Sequence, residues 1–146
     1  TVIYNQALLA NKKKLTKYWN ISKPPTVVIR VSNRRLTVGS HSMAFFLLVS
    51  MRCIEQEMRE KITVKFQGTA RAPVVIGIFS MDDIMKYVEC IPDEILPEYR
   101  RQRTYVNSVL ASHEVDRDNP YNKMMFKRIR RGCYVVNPTL VYEDTI

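Results

Sequence analysis

The chain has little with which to build a metal site or a nucleotide site. Its 146 residues hold three cysteines, Cys53, Cys90 and Cys133, far apart and without a Cys-x-x-Cys pair, and two isolated histidines, His41 and His113. Zinc needs clustered ligands at short spacing, so no metal is expected, and an odd cysteine count fits reduced thiols in an intracellular chain. The four glycines form neither G-x-G-x-x-G nor G-x-x-x-x-G-K-[ST], which removes the usual phosphate-binding loops. The longest apolar run, MAFFLLV from Met43, is far shorter than the ~20 residues that cross a bilayer. No signal-peptide pattern opens the sequence, and a start at Thr1 is what removal of an initiator methionine leaves. The expectation is a cytoplasmic protein with no cofactor and no membrane contact.

Acid is also scarce. Asp and Glu total 14 against 23 Lys and Arg, a net charge of +9. With 46% hydrophobic and 25% charged residues the chain has the composition of a folded domain, so the imbalance points to an acidic partner rather than to disorder. The acidic pairs have plain explanations. Asp82 and Asp83 suit the first turn of a helix, and Asp116 and Asp118 suit a loop. No carboxylates are spaced with a lysine as a nuclease would need, and a non-enzymatic protein is expected. Cys133 beside Arg131 has the setting of a thiol with lowered pKa, although a small residue opening a strand is the simpler reading.

Along the chain, residues 1–24 read as a basic arm or short helix, with Lys12, Lys13 and Lys14 beside Leu15, Tyr18 and Trp19, closed by Pro24 and Pro25. Residues 25–146 read as one domain. TVVIRVSNRRLTVG reads as a hairpin turning at Ser32 and Asn33, with Arg30, Arg34 and Arg35 on its strands. It either extends a sheet or makes a second basic contact. The stretch from Ser42 to Glu60 reads as a long helix capped by Ser40 or Ser42, apolar nearly all round in its first half. That much apolar surface suggests a homodimer through this helix. ITVKFQG and PVVIGIFS read as strands. MDDIMKYV reads as a helix capped by Ser80, and PEYRRQRTYVNSVLASHEV as a third helix from Pro97.

The third helix carries Arg100, Arg101, Gln102, Arg103 and Asn107, the side-chain types that grip phosphates or read base edges. Arg100, Arg103 and Asn107 fall at helical spacing on one face, away from Val106, Val109 and Leu110. FKRIRRG then carries Lys127, Arg128, Arg130 and Arg131 on a strand that turns at Gly132 and returns as CYVV. A bulge near Arg128 is expected to bring Phe126 and Ile129 to the same side, and Gly132 is expected to take a positive φ.

Long helix, strand, short helix, basic helix and basic hairpin is the order of a winged helix, whose helix enters the DNA major groove while the wing meets the backbone. The ending IRRGCYVVNPTLV resembles that of winged-helix replication initiators of small plasmids, and of phage and plasmid regulators. The resemblance runs from Ser80 to Val141 and is sharpest from Gly132 to Pro138. This chain departs from it in a long link carrying Pro92 and Pro97 and in a long ASHEVDRDNPYN connection. The resemblance implies sequence-specific binding of duplex DNA at an origin or a promoter.

The expected fold is therefore α+β, a winged helix-turn-helix with an extra N-terminal β-hairpin. The expected DNA contacts are the five residues of the third helix and the four of the wing. The competing expectations are an interaction protein that binds an acidic protein surface, and a single-stranded nucleic-acid binder using Tyr99, Tyr105, Tyr121 and Tyr134 for stacking.

Overall fold

The computed structural model describes residue 6 and residues 26–65, 77–94 and 96–143. The expected basic arm and the residues from Pro73 to Ile76 of the expected PVVIGIFS strand lie outside them. The fold is mixed α+β, with small antiparallel sheets and three α-helices among the described residues.

The first sheet begins with a hairpin of β1 (Thr26–Val31) and β2 (Arg34–Gly39), paired in register from Thr26 opposite Gly39 to Val31 opposite Arg34. The turn falls at Ser32 and Asn33 as expected, with Ser32 at φ 54°. Alternation buries Ile29, Val31 and Val38 and leaves Arg30 and Arg35 outside. A short strand, β6 (Val141–Tyr142), adds to β1 and completes the order β2-β1-β6. The hairpin thus builds its own sheet. Arg30 and Arg35 stand side by side, and both Nε atoms donate to Glu143 Oε2, at 3.2 and 2.8 Å.

Helix α1 spans Met43–Lys65. Ser42 caps it: its Oγ accepts from Phe45 N at 3.2 Å and its carbonyl accepts from Phe46 N. The helix overruns its expected end, and Ile62 to Lys65 are helical rather than the start of a strand. No Gly or Pro interrupts the sequence before Gly68, and β-branched residues cost an existing helix only a few tenths of a kcal/mol each (~0.5).

The apolar half of α1 is the centre of the core. Met43 through Val49, Met51 and Ile54 are all buried within this one chain. Burying side chains such as Leu47, Leu48 and Ile54 contributes about 1.5–3 kcal/mol each. The apolar run of α1 is thus packed inside this one chain.

The second sheet has the order β3-β5-β4, from β3 (Phe79–Ser80), β4 (Phe126–Arg130) and β5 (Cys133–Val136). Between β3 and β4 run helix α2 (Met81–Val88), a 3-10 turn (Glu98–Arg101) and helix α3 (Arg103–Ser112). Ser80 and Asp83 form a reciprocal capping box at the start of α2. Gly77 precedes β3 where only hydrogen fits: a Cβ there would lie 2.5 Å from Glu55 Cγ and 2.8 Å from the Phe79 ring.

The third helix is shorter than expected. Gln102 is extended at ψ 135° and separates the 3-10 turn from α3. Arg101 supplies the reason. Its guanidinium donates to the carbonyls of Val88 (3.1 Å), Ile91 (2.6 Å) and Leu96 (3.1 Å), and pairs with Asp93 at 3.2 Å. Those carbonyls lie at the end of α2 and in the link beyond it, where Val88 O also accepts from Ile91 N, and binding them turns the chain before α3 begins.

Asn137 breaks the last strand and sends the chain to the first sheet. Its Nδ2 donates to Met124 O at 2.8 Å, and its Oδ1 accepts from Thr139 N and Thr139 Oγ1. Thr139 Oγ1 in turn accepts from Ser32 N at 3.2 Å. The Asn-Pro element is thus a joint between the two sheets.

Candidate nucleic-acid interface

Hairpin β4–β5 is pinned at both ends. At its base, Phe126 N donates to His113 O and Val115 N to Phe126 O, tying β4 to the C-terminal end of α3. The Glu114 carboxylate sits in this joint and accepts from Asp116 N (3.1 Å) and Arg128 N (3.4 Å). At its tip, Arg131 and Gly132 form the turn, with Gly132 at φ 73° as expected. The Gly132 carbonyl accepts from Met81 N at 2.9 Å, so the tip rests on the first residue of α2.

The expected bulge is present. The register shifts between Arg128, opposite Tyr134, and Arg130, opposite Cys133. Its consequence differs from the expectation, because Phe126 is fully buried whereas Ile129 is 45% exposed among the arginines. A bulge leaves its extra residue unpaired and re-aims it, and here that residue is Ile129. Lys127, Arg128, Arg130 and Arg131 are all exposed, and among the described residues none of the four side chains has a hydrogen bond or an ion pair.

Helix α3 presents a smaller set. Arg103 is its first residue, and its Nη1 donates to Asp82 Oδ1 of α2 at 2.8 Å. Arg103, Thr104, Asn107 and Met81 line one shallow surface depression. The start of α2 therefore stands between hairpin tip and α3: Met81 meets Gly132, and Asp82 meets Arg103. Hairpin tip and helix N-terminus belong to one surface. Thr104 was missed in the sequence, although its place beside Arg103 in the first turn of a basic helix was the available signal.

The other expected contacts fall elsewhere. Arg100 is on the 3-10 turn and not on the Arg103–Asn107 face; it donates to Tyr99 Oη (3.2 Å) and His41 O (3.4 Å). Gln102 is exposed and folds back toward Glu98. Arg101 turns inward. Its side chain is 13% exposed and its donors are committed to three carbonyls and Asp93, so it holds the fold. Of the tyrosines offered for stacking, Tyr134 is buried and Tyr105 half-buried against Tyr99, whereas Tyr99 and Tyr121 are exposed.

His113 caps the C-terminal end of α3. Its Nδ1 accepts from Lys123 N at 3.1 Å, and burial, with Lys123 adding to it, lowers its pKa. Glu55, on α1, is pushed the other way by burial, against the pull of Arg52 and Arg59. Among the described residues no group of three His, Cys, Asp or Glu side chains is placed to hold a metal ion, and no helix is long and apolar enough to cross a membrane.

Comparison of the chain with family models, curated proteins and solved structures finds no match.

Proposed function

We propose that this chain is a sequence-specific duplex DNA-binding protein of the winged-helix type, acting as a plasmid or phage replication initiator or as a transcriptional regulator. The observation that carries the reading is the wing. Four cations project from a hairpin whose base and tip are both fixed to neighbouring helices, and none of the four is paired within the described chain. Some other arginines are paired, Arg30 and Arg35 with Glu143 and Arg101 with Asp93, and what sets the hairpin apart is four cations together on one fixed element. A guanidinium left without a carboxylate on a fixed strand is suited to a phosphate oxygen.

Topology supports the same reading. The order helix, strand, helix, helix, hairpin is that of a winged helix, and the C-terminal end of α3 is hydrogen-bonded to β4. In this arrangement Arg103, Thr104 and Asn107 meet base edges while Lys127, Arg128, Arg130 and Arg131 meet phosphates. Ile129 then contacts sugars or the edge of the minor groove.

The test is selection from a random duplex library, followed by affinities of Arg103→Ala and Asn107→Ala for the selected site. Each variant is expected to lose ~1–3 kcal/mol at one base pair and to relax preference there. A library that yields no preferred sequence, or variants that keep the native preference, would contradict the reading.

A further inference from the structure

We propose that Asp82 is a positioning residue that presents Arg103 to a guanine in the major groove. This inference rests on the duplex-reading function proposed above. It begins with an acid that stands outside the helix cap. The N-terminus of α2 is already closed by the reciprocal Ser80 and Asp83 pair. Asp82 takes no part in that cap. Its side chain is 80% exposed, and its Oδ1 accepts from Arg103 Nη1 at 2.8 Å.

A carboxylate at this place opposes binding. The adjoining surface carries Arg103 on α3 and, through the contact between Met81 and Gly132, the four cations of the wing. Near a phosphate polyanion one negative charge on that surface weakens association with every sequence. What it supplies in return is geometry. An arginine at an exposed helix start samples many rotamers, and a charge-assisted bond to one terminal nitrogen fixes its plane. A guanidinium has five N–H donors, so the bond to Asp82 leaves enough for the O6 and N7 acceptors of one guanine. Thr104 and Asn107 line the same depression and place a hydroxyl and an amide beside the fixed arginine.

Two effects of opposite sign follow, and they separate positioning from plain electrostatics. The experiment uses the full chain with Asp82→Asn and Asp82→Glu, a duplex selected by the native protein and a scrambled duplex of the same composition, read by fluorescence anisotropy. For Asp82→Asn the affinity for the scrambled duplex is expected to rise about threefold, because a repulsive charge is gone. The ratio of selected to scrambled affinity is expected to fall about tenfold, with the loss concentrated at one guanine. Asp82→Glu keeps the charge and the bonding group and is expected to retain most of the ratio. Melting midpoints of both variants should stay within a few degrees of the native chain, since the capping box is untouched and Asp82 adds only its first-turn charge. Equal tightening on both duplexes, with the ratio unchanged, overturns the positioning role and leaves the proposed function standing. A native chain that prefers no duplex overturns both.

Discussion

Replacing Arg130 and Arg131 together by alanine isolates the part of the interface that makes the largest claim on salt. Both side chains are exposed and neither has a partner among the described residues, so the fold should lose no more than ~0.5 kcal/mol. Each phosphate neutralised on B-DNA contributes about 0.9 to the fall of log K with log salt, so two lost contacts should flatten the slope by about 1.8. Between ~50 and ~200 mM salt, the native chain should then lose roughly twelvefold more affinity than the variant. The assay is a salt titration by anisotropy on one duplex. Arg30→Ala with Arg35→Ala is the matched control: it removes the same formal charge from the other sheet, where Glu143 already holds both arginines. Its slope should change by less than half as much. A native slope in the wing variant, or equal changes in the two double variants, would refute a wing that contacts phosphate and leave only a diffuse effect of net charge.

Arg101→Ala should destabilise the chain by about 2–4 kcal/mol, because the carbonyls of Ile91 and Leu96 lose their side-chain donor and that of Val88 keeps only Ile91 N, while DNA affinity of the folded fraction stays near native. Urea unfolding and anisotropy together check this, and native stability with lost affinity would return Arg101 to the interface. Asn137→Ala should cost about 2–3 kcal/mol, since the joint at Met124 O and Thr139 comes apart. Asn137→Asp should do no better, because a carboxylate cannot donate to Met124 O, and an unfolding midpoint equal to the native one would refute the joint. His113 has a lowered pKa, so its contribution to stability is complete above its ordinary value of 6.5 and is lost as pH falls through the lower folded value, when protonation removes the acceptor for Lys123 N. Urea midpoints at pH ~7.5 and ~5 should therefore drop further in the native chain than in His113→Gln, a comparison in which the opposing titration of Glu55 cancels. Equal drops would contradict it.

Local chemistry made part of this fold legible. Ser42 before an apolar run, Ser80 followed by Asp83, the hairpin turn at Ser32 and Asn33, and a glycine between two strands at Gly132 each act within a few residues, and each stands where the pattern puts it. The failures have long-range causes. Nothing between Pro97 and His113 is a helix breaker, and the break at Gln102 follows from Arg101 reaching carbonyls up to 13 residues back. The strand that ends at Val136 is closed by a bond from Asn137 to Met124 across the hairpin, not by its own composition. The burial of the apolar run in α1 could not be read locally, because α2, α3 and β5, which pack on it, come much later in the sequence.

Of the candidate site, the wing was the more readable half. Four cations around a turn glycine remain exposed in the fold. The helix half was readable only by residue type. Which of five polar residues face outward depends on the 3-10 turn and on Asp82, and so Arg103 and Asn107 stay on the surface with Thr104 while Arg101 turns inward. The partly buried Tyr105 and buried Tyr134 likewise weaken a stacking platform that looked whole in sequence.

The most direct test is the affinity of the purified chain for a random duplex, the matching single strand and heparin, measured by anisotropy at two salt concentrations. The expected result is tighter binding to the duplex than to the single strand, weakening steeply with salt. Equal binding to all three would reduce the basic surface to generic charge. Absence of nucleic-acid binding at low salt would contradict the interface and favour an acidic protein partner for the wing.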